Sequence, residues 1–194
     1  MTDLIALHRR AAEATAELVA TVEPADLDRP TPCAGWTVRD LLAHQIVQNH
    51  GFAEAAAGLR TSLERWTPVP PGDDPVAEHT ASVEAVITAF AAEGVLERDF
   101  WLPEVREGGP FPGRMAVGFH FIDCVVHDWD FARALGVPVN IADDLAEAAL
   151  PLTLQVPDTP ESRGAGKAFA RGLAVSGDAP ALTRILAALG RDPS

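Results

Sequence analysis

Apolar positions recur at helical spacing along most of the chain, and stretches rich in proline and glycine separate them. Leu4, Ile5, Leu7, Ala11, Ala14, Leu18 and Val22 form one apolar stripe, with Arg9, Arg10, Glu13 and Glu17 mostly opposite, which predicts a first helix over 3–22. His8 reads as a surface or boundary residue of that helix, and Pro24 ends it. Thr37 and Asp40 have the spacing of a capping box, and Trp36 stands before the cap, where an apolar side chain staples the entering chain. Val38, Leu41, Leu42, Ile46, Phe52, Ala53 and Ala56 then give a second helix its core face, and His44 borders that face. A third helix is expected over 76–93, with Gly94 as its stop. His79, near its start, is given neither a structural nor a catalytic role, and His50 reads as solvated. Residues 60–75 and 94–113 read as loops, with Phe100-Trp101-Leu102 covering one end of the core and a turn-rich end from Arg106 to Gly113.

A fourth helix is expected over 114–135, stopped by Gly136 with Pro138 just beyond. A fifth follows over 141–153, then an irregular stretch over 156–179 and a last short helix over 180–189. Strand patterns are almost absent; Leu173-Ala174-Val175 is the sole candidate. The pattern therefore predicts an all-α chain, read as a single domain over 1–194 with its helical body at about 3–155 and a C-terminal extension at about 156–194.

The fourth helix departs from the ordinary amphipathic pattern. It is apolar on most sides, as a buried helix is. Yet His120, Asp123 and His127 fall at i, i+3 and i+7, along one face. Burying a lone charge costs several kcal/mol or more, so this stripe needs a partner, and a metal ion satisfies all three groups together. Asp123 and His127, four apart, have the spacing of two ligands of one ion. The competing reading is a carboxylate that merely orients a histidine. His44 is the best placed third ligand, although taken alone it reads as a hydrogen-bonded core histidine ahead of a ligand. Two imidazoles and a carboxylate favour zinc first and nickel second, with a position left open for water or substrate.

His120 has three readings: a fourth ligand, a base lining the site, or a satisfied core histidine. A span of i to i+7, roughly 10 Å along a helix, argues against ligation and leaves His120 as a candidate proton acceptor. Asp130, three residues past His127, is either a hydrogen-bond acceptor for that ring or an anchor for a neighbouring group. Cys124 reads as a small buried hydrophobe.

Composition narrows the functions. The net charge of −13 argues against nucleic acid or an anionic membrane as main partner, since both need a basic patch. No apolar run is long enough to span a bilayer, and no secretion signal opens the chain, so a cytoplasmic location is expected. Cys33 and Cys124 form no CxxC pair and are expected as reduced thiols.

Two stretches carry a resemblance. Thr31-Pro32-Cys33-Ala34-Gly35-Trp36-Thr37-Val38-Arg39-Asp40-Leu41-Leu42-Ala43-His44 and Asp123-Cys124-Val125-Val126-His127-Asp128-Trp129-Asp130-Phe131-Ala132-Arg133-Ala134 resemble the signatures of the actinobacterial metal-binding family related to mycothiol-dependent maleylpyruvate isomerase, within the DinB-like superfamily. The resemblance implies an antiparallel four-helix bundle holding a divalent metal between its second and fourth helices, with His44, Asp123 and His127 as ligands. It also implies a low-molecular-weight thiol such as mycothiol as co-substrate, with an electrophilic small molecule as its target; a homodimer is open to it. The isomerase differs in having glutamate where this chain has Asp123, and in carrying a separate C-terminal domain. The expectation is a metal-dependent thiol transferase or isomerase. A metal-assisted hydrolase and a non-enzymatic bundle with a structural metal are the alternatives.

Overall fold

Three helix starts follow directly from the local sequence. The computed structural model describes residues 3–105, 108–164 and 169–193. Asp3 caps α1 (Leu4–Val19), its carboxylate accepting from the amides of Ile5 and Ala6. Thr37 and Asp40 form the expected capping box at α2 (Val38–Ala56): Thr37 Oγ1 accepts from the Asp40 amide, and Asp40 Oδ2 accepts from the Thr37 amide at 2.8 Å. Asp74 caps α3 (Pro75–Phe90), whose first residue is a proline that needs no amide partner there. A short hairpin, β1 (Asp99–Trp101) with β2 (Pro110–Pro112), leads into α4 (Gly113–Leu135). Gly136 closes α4 in the left-handed conformation, at φ 71°.

The chain divides into two compact units, one running to Val139 and the other beginning at Asn140. In the first, α1 packs on α4 and α3, and α2 packs on α3 and α4. One core cluster gathers Phe52, Trp66, Val86, Phe90, Phe100, Leu102, Phe111 and Val117; another gathers Val19, Val38, Leu41, Leu42, Phe131 and Ala134. In the second unit, α5 (Asp143–Thr153) packs against α6 (Ala181–Ala188), so the fifth helix groups with the segment that the pattern had set apart after about 155.

Two glycines are required by close approach. A Cβ on Gly113 would collide with the carbonyl oxygens of Val95 and Arg98, so only glycine lets α4 begin there. A Cβ on Gly51 would lie 2.7 Å from the Trp66 indole, which packs flat on α2 at that point.

Several expectations are corrected. The described strands are β1 and β2, in antiparallel register Phe100↔Phe111, and 173–175 is not a strand. Three-residue strands, one of them bounded by proline at both ends, carry too little alternation to be read. The first helix stops at Val19, and Val22 is reached through a turn. Arg106 and Glu107 of the turn-rich stretch, and 165–168 of the irregular one, lie outside the described residues. Among the described residues no helix is long and apolar enough to cross a membrane.

Candidate metal centre

The packing of α2 against α4 brings three donors together. His44 comes from α2, two turns past the Thr37 cap; Asp123 and His127 come from adjacent turns of α4. Asp123 Oδ1 lies 3.6 Å from His44 Nε2 and 3.2 Å from His127 Nε2. One donor atom from each residue lies within 4.8 Å of the other two. Metal–ligand bonds of 2.0–2.2 Å at tetrahedral angles put neighbouring donors about 3.4 Å apart, so the three residues fit a zinc-sized cation with little adjustment. The side chains of His44 and Asp123 are each 19% exposed, against 6% for His127. A small molecule can therefore approach from the His44–Asp123 side.

The surrounding shell orients each donor. His127 Nδ1 donates to Asp130 Oδ2 at 2.8 Å, which leaves Nε2 facing Asp123 and His44. The acceptor reading of Asp130 is thus the one its geometry supports, and Asp130 is fully buried. Cys33 Sγ donates to the same carboxylate oxygen at 3.3 Å. Gln45 Nε2 donates to Asp123 Oδ2 at 3.1 Å, and Gln45 Oε1 accepts from His79 Nε2 at 3.3 Å. Gln48, one turn beyond His44, donates to Glu104 Oε2 at 2.7 Å.

The charges follow from these contacts. Burial would raise Asp123, but His127 and His44 outweigh it and hold its carboxyl well below the usual range. Burial would lower His127, but Asp123 and Asp130 outweigh it and hold the imidazole well above 6.5. A proton on His127 and a divalent cation are thus alternatives for one position between the carboxylates. Burial raises Glu104, whose charge also feels His44 and Asp123.

His120 sits elsewhere than expected. It is fully buried, with its Nδ1 2.8 Å from His8 Nε2 and its ring against Phe52 and Phe90. Burial lowers its pKa to about 4. Such a group is a poor proton acceptor near neutrality, so this placement speaks against the site-lining role and for a satisfied core histidine. His8 and His79, expected at the surface or without a role, are also fully buried. His50 is half-buried.

Two further clusters have donors within reach of one ion: His8 with His120 and Cys124, and Cys33 with His127 and Asp130. The first fits a hydrogen-bonded pair better. A cation between His8 Nε2 and His120 Nδ1 would force protons onto His8 Nδ1 and His120 Nε2, both buried without a partner. The hydrogen bond strands only one N–H. A cation in the second cluster would displace the proton that His127 shares with Asp130. In the α2–α4 site a cation would replace the proton on His127 Nε2 and leave the His127–Asp130 hydrogen bond in place.

Gln45, Gln48, Cys33 and Glu104 were not read as site residues from the chain. The one available signal is a glutamine directly after His44, just past the apolar run Leu41-Leu42-Ala43.

Comparison with known proteins agrees with this architecture. Residues 8–132 match the family model described as the mycothiol maleylpyruvate isomerase N-terminal domain. Two uncharacterized proteins, from two strains of Mycobacterium tuberculosis, are each 32% identical over 192 residues, covering 97% of this chain and 98% of theirs. The crystal structure of the mycothiol-dependent maleylpyruvate isomerase is similar in fold, with a TM-score of 0.60 at 19% identity, covering 97% of this chain and 80% of that one. A histidine-to-alanine mutant of that enzyme gives 0.58 with the same coverage. The match over the greater part of the chain shows that it belongs to the mycothiol maleylpyruvate isomerase N-terminal domain family.

Proposed function

We propose that the chain binds one divalent cation, zinc before nickel, through His44 Nε2, Asp123 Oδ1 and His127 Nε2. We further propose that the site serves a transferase or isomerase reaction of a low-molecular-weight thiol such as mycothiol with an electrophilic small molecule. The observation that carries this reading is the convergence of three donors, with His127 already turned toward them by Asp130. When bound, the cation supplies the positive charge that deprotonates a coordinated thiol at neutral pH.

The chain's own residues do the rest. Asp130 fixes the ring of His127 and the tautomer that leaves Nε2 as the ligand. Gln45 holds the second oxygen of Asp123. Glu104, held by Gln48 and electrostatically coupled to His44 and Asp123, replaces His120 as the proton acceptor in this reading. The donor group closes at three among the described residues. Catalytic zinc sites have three protein ligands, whereas structural ones usually have four, which favours a reactive site over a structural one.

The test is cobalt substitution. Adding a small thiol should change the d–d spectrum of the wild-type cobalt protein, and His127→Ala should abolish the spectrum. An unchanged spectrum on thiol addition would leave metal-assisted hydrolysis or a structural metal as the better reading.

A further inference from the structure

We infer that Gln45, backed by His79, is a positioning residue that keeps Asp123 a one-oxygen ligand and so keeps a coordination position free. The inference rests on the metal site proposed above.

Asp123 Oδ1 faces both imidazole Nε2 atoms, while Asp123 Oδ2 accepts from Gln45 Nε2 at 3.1 Å. A carboxylate only accepts, so the Gln45 atom facing it is the amide nitrogen and Oε1 points the other way. Oε1 meets His79 Nε2 at 3.3 Å. An amide oxygen also only accepts, so His79 must carry its proton on Nε2. The tautomer is therefore set by the chain of contacts, and His79 Nδ1 is left without a proton and without a partner. Burial of His79 lowers its pKa to about 4, so the ring is neutral near pH 7 and carries its single proton on Nε2. Both residues are buried, and the amide is held at both ends, by α4 on one side and α3 on the other.

The consequence is geometric. With Oδ2 engaged, a cation meets Oδ1 alone. Two imidazoles and one oxygen make three ligands, and the fourth position remains for substrate. Without the Gln45 amide, Oδ2 would be a part-buried acceptor that has lost its side-chain donor. It would regain a partner by swinging onto the cation as a second oxygen ligand, filling the free position. A merely structural role, tying α2 to α3, would affect folding and leave the coordination unchanged.

The experiment compares wild type with Gln45→Met, which keeps the side-chain length and removes both polar atoms. His79→Phe, the double variant and Asp123→Ala are titrated with cobalt and zinc alongside. Expected for Gln45→Met is a weaker d–d absorption, as coordination number rises, and a ten- to hundredfold loss of zinc affinity, the usual effect of removing a residue that orients a ligand. His79→Phe should shift both in the same direction by less. The double variant should match Gln45→Met alone, because His79 acts only through the amide. A Gln45→Met protein with the wild-type spectrum and affinity overturns the inference, whatever its melting temperature. If Gln45→Met does not fold, His79→Phe decides: a shifted spectrum supports the inference and a wild-type spectrum overturns it. If wild type binds no cobalt, the site reading fails and takes this inference with it. If wild type binds and Asp123→Ala does not, an unaffected Gln45→Met sinks this inference alone.

Discussion

Lowering the pH from 7 to 5 should strip stability from the metal-free protein, and its buried histidines set the amount. His8, His79 and His120 are fully buried. Burial lowers all three below 6.5, to about 4 for His79 and His120. In the unfolded chain each titrates near 6.5. At pH 5, unfolding therefore takes up most of a proton at each of His79 and His120, and His8 adds to the uptake in the same direction. Asp128 works the other way: burial raises it to about 6, so unfolding releases a proton there. Glu104, also raised by burial, releases part of another. His127, held well above 6.5, is protonated in both states at pH 5 and adds no slope there; between pH 7 and 6 its unfolded form loses the proton, so unfolding releases one and offsets part of the uptake. The sign is thus fixed. A lowered imidazole contributes stability present above pH 6.5 and lost as pH falls toward 4. The balance is a net uptake of between one and two protons, or roughly 1.4–2.7 kcal/mol lost per pH unit. Against a typical total of 5–15 kcal/mol, such a slope is readily measured. Urea unfolding in the presence of chelator at pH 7, 6 and 5 reads it directly. A midpoint that stays level or rises between pH 6 and 5 would refute the reasoning.

Other expectations follow from single contacts. Asp128→Asn should stabilise the protein by about 3 kcal/mol at pH 7, because it removes a carboxyl raised from 3.8 to about 6, and the gain should vanish below about pH 4. Paired urea titrations at the two pH values check this. Asp130→Asn keeps an acceptor for His127 Nδ1 and should cost about tenfold in zinc affinity, whereas Asp130→Leu should cost about a hundredfold; competition with a zinc-binding dye measures both. Gly51→Ala forces its methyl against the Trp66 indole and should cost about 1–3 kcal/mol. Gly113→Ala meets backbone oxygens that cannot rotate away, so its melting temperature should fall further than that of Gly51→Ala.

The helices were legible because each carries its own signal. The Thr37–Asp40 box placed the start of α2 and Gly136 the end of α4. The stripe of Asp123 and His127 was legible because polar residues on an apolar helix demand a partner. What pairs across the fold was not. His8 is buried because His120, 112 positions away, accepts its ring, and no local pattern on α1 records that. His79 looked idle at the start of α3 because its role runs through Gln45 to Asp123, across three helices. His120 shared the stripe but turned to His8, since a single-helix pattern gives a face and not the neighbour behind it. The hairpin was missed because three-residue strands show no period.

The central claim is tested most directly by locating the ion. Crystals of the wild-type protein with stoichiometric zinc, measured on both sides of the zinc absorption edge, give its position by anomalous difference. One site is expected within about 2.3 Å of His44 Nε2, Asp123 Oδ1 and His127 Nε2, with His127 Nδ1 still on Asp130 and His120 still on His8. Zinc bound among His8, His120 and Cys124, or no zinc between α2 and α4, would contradict it.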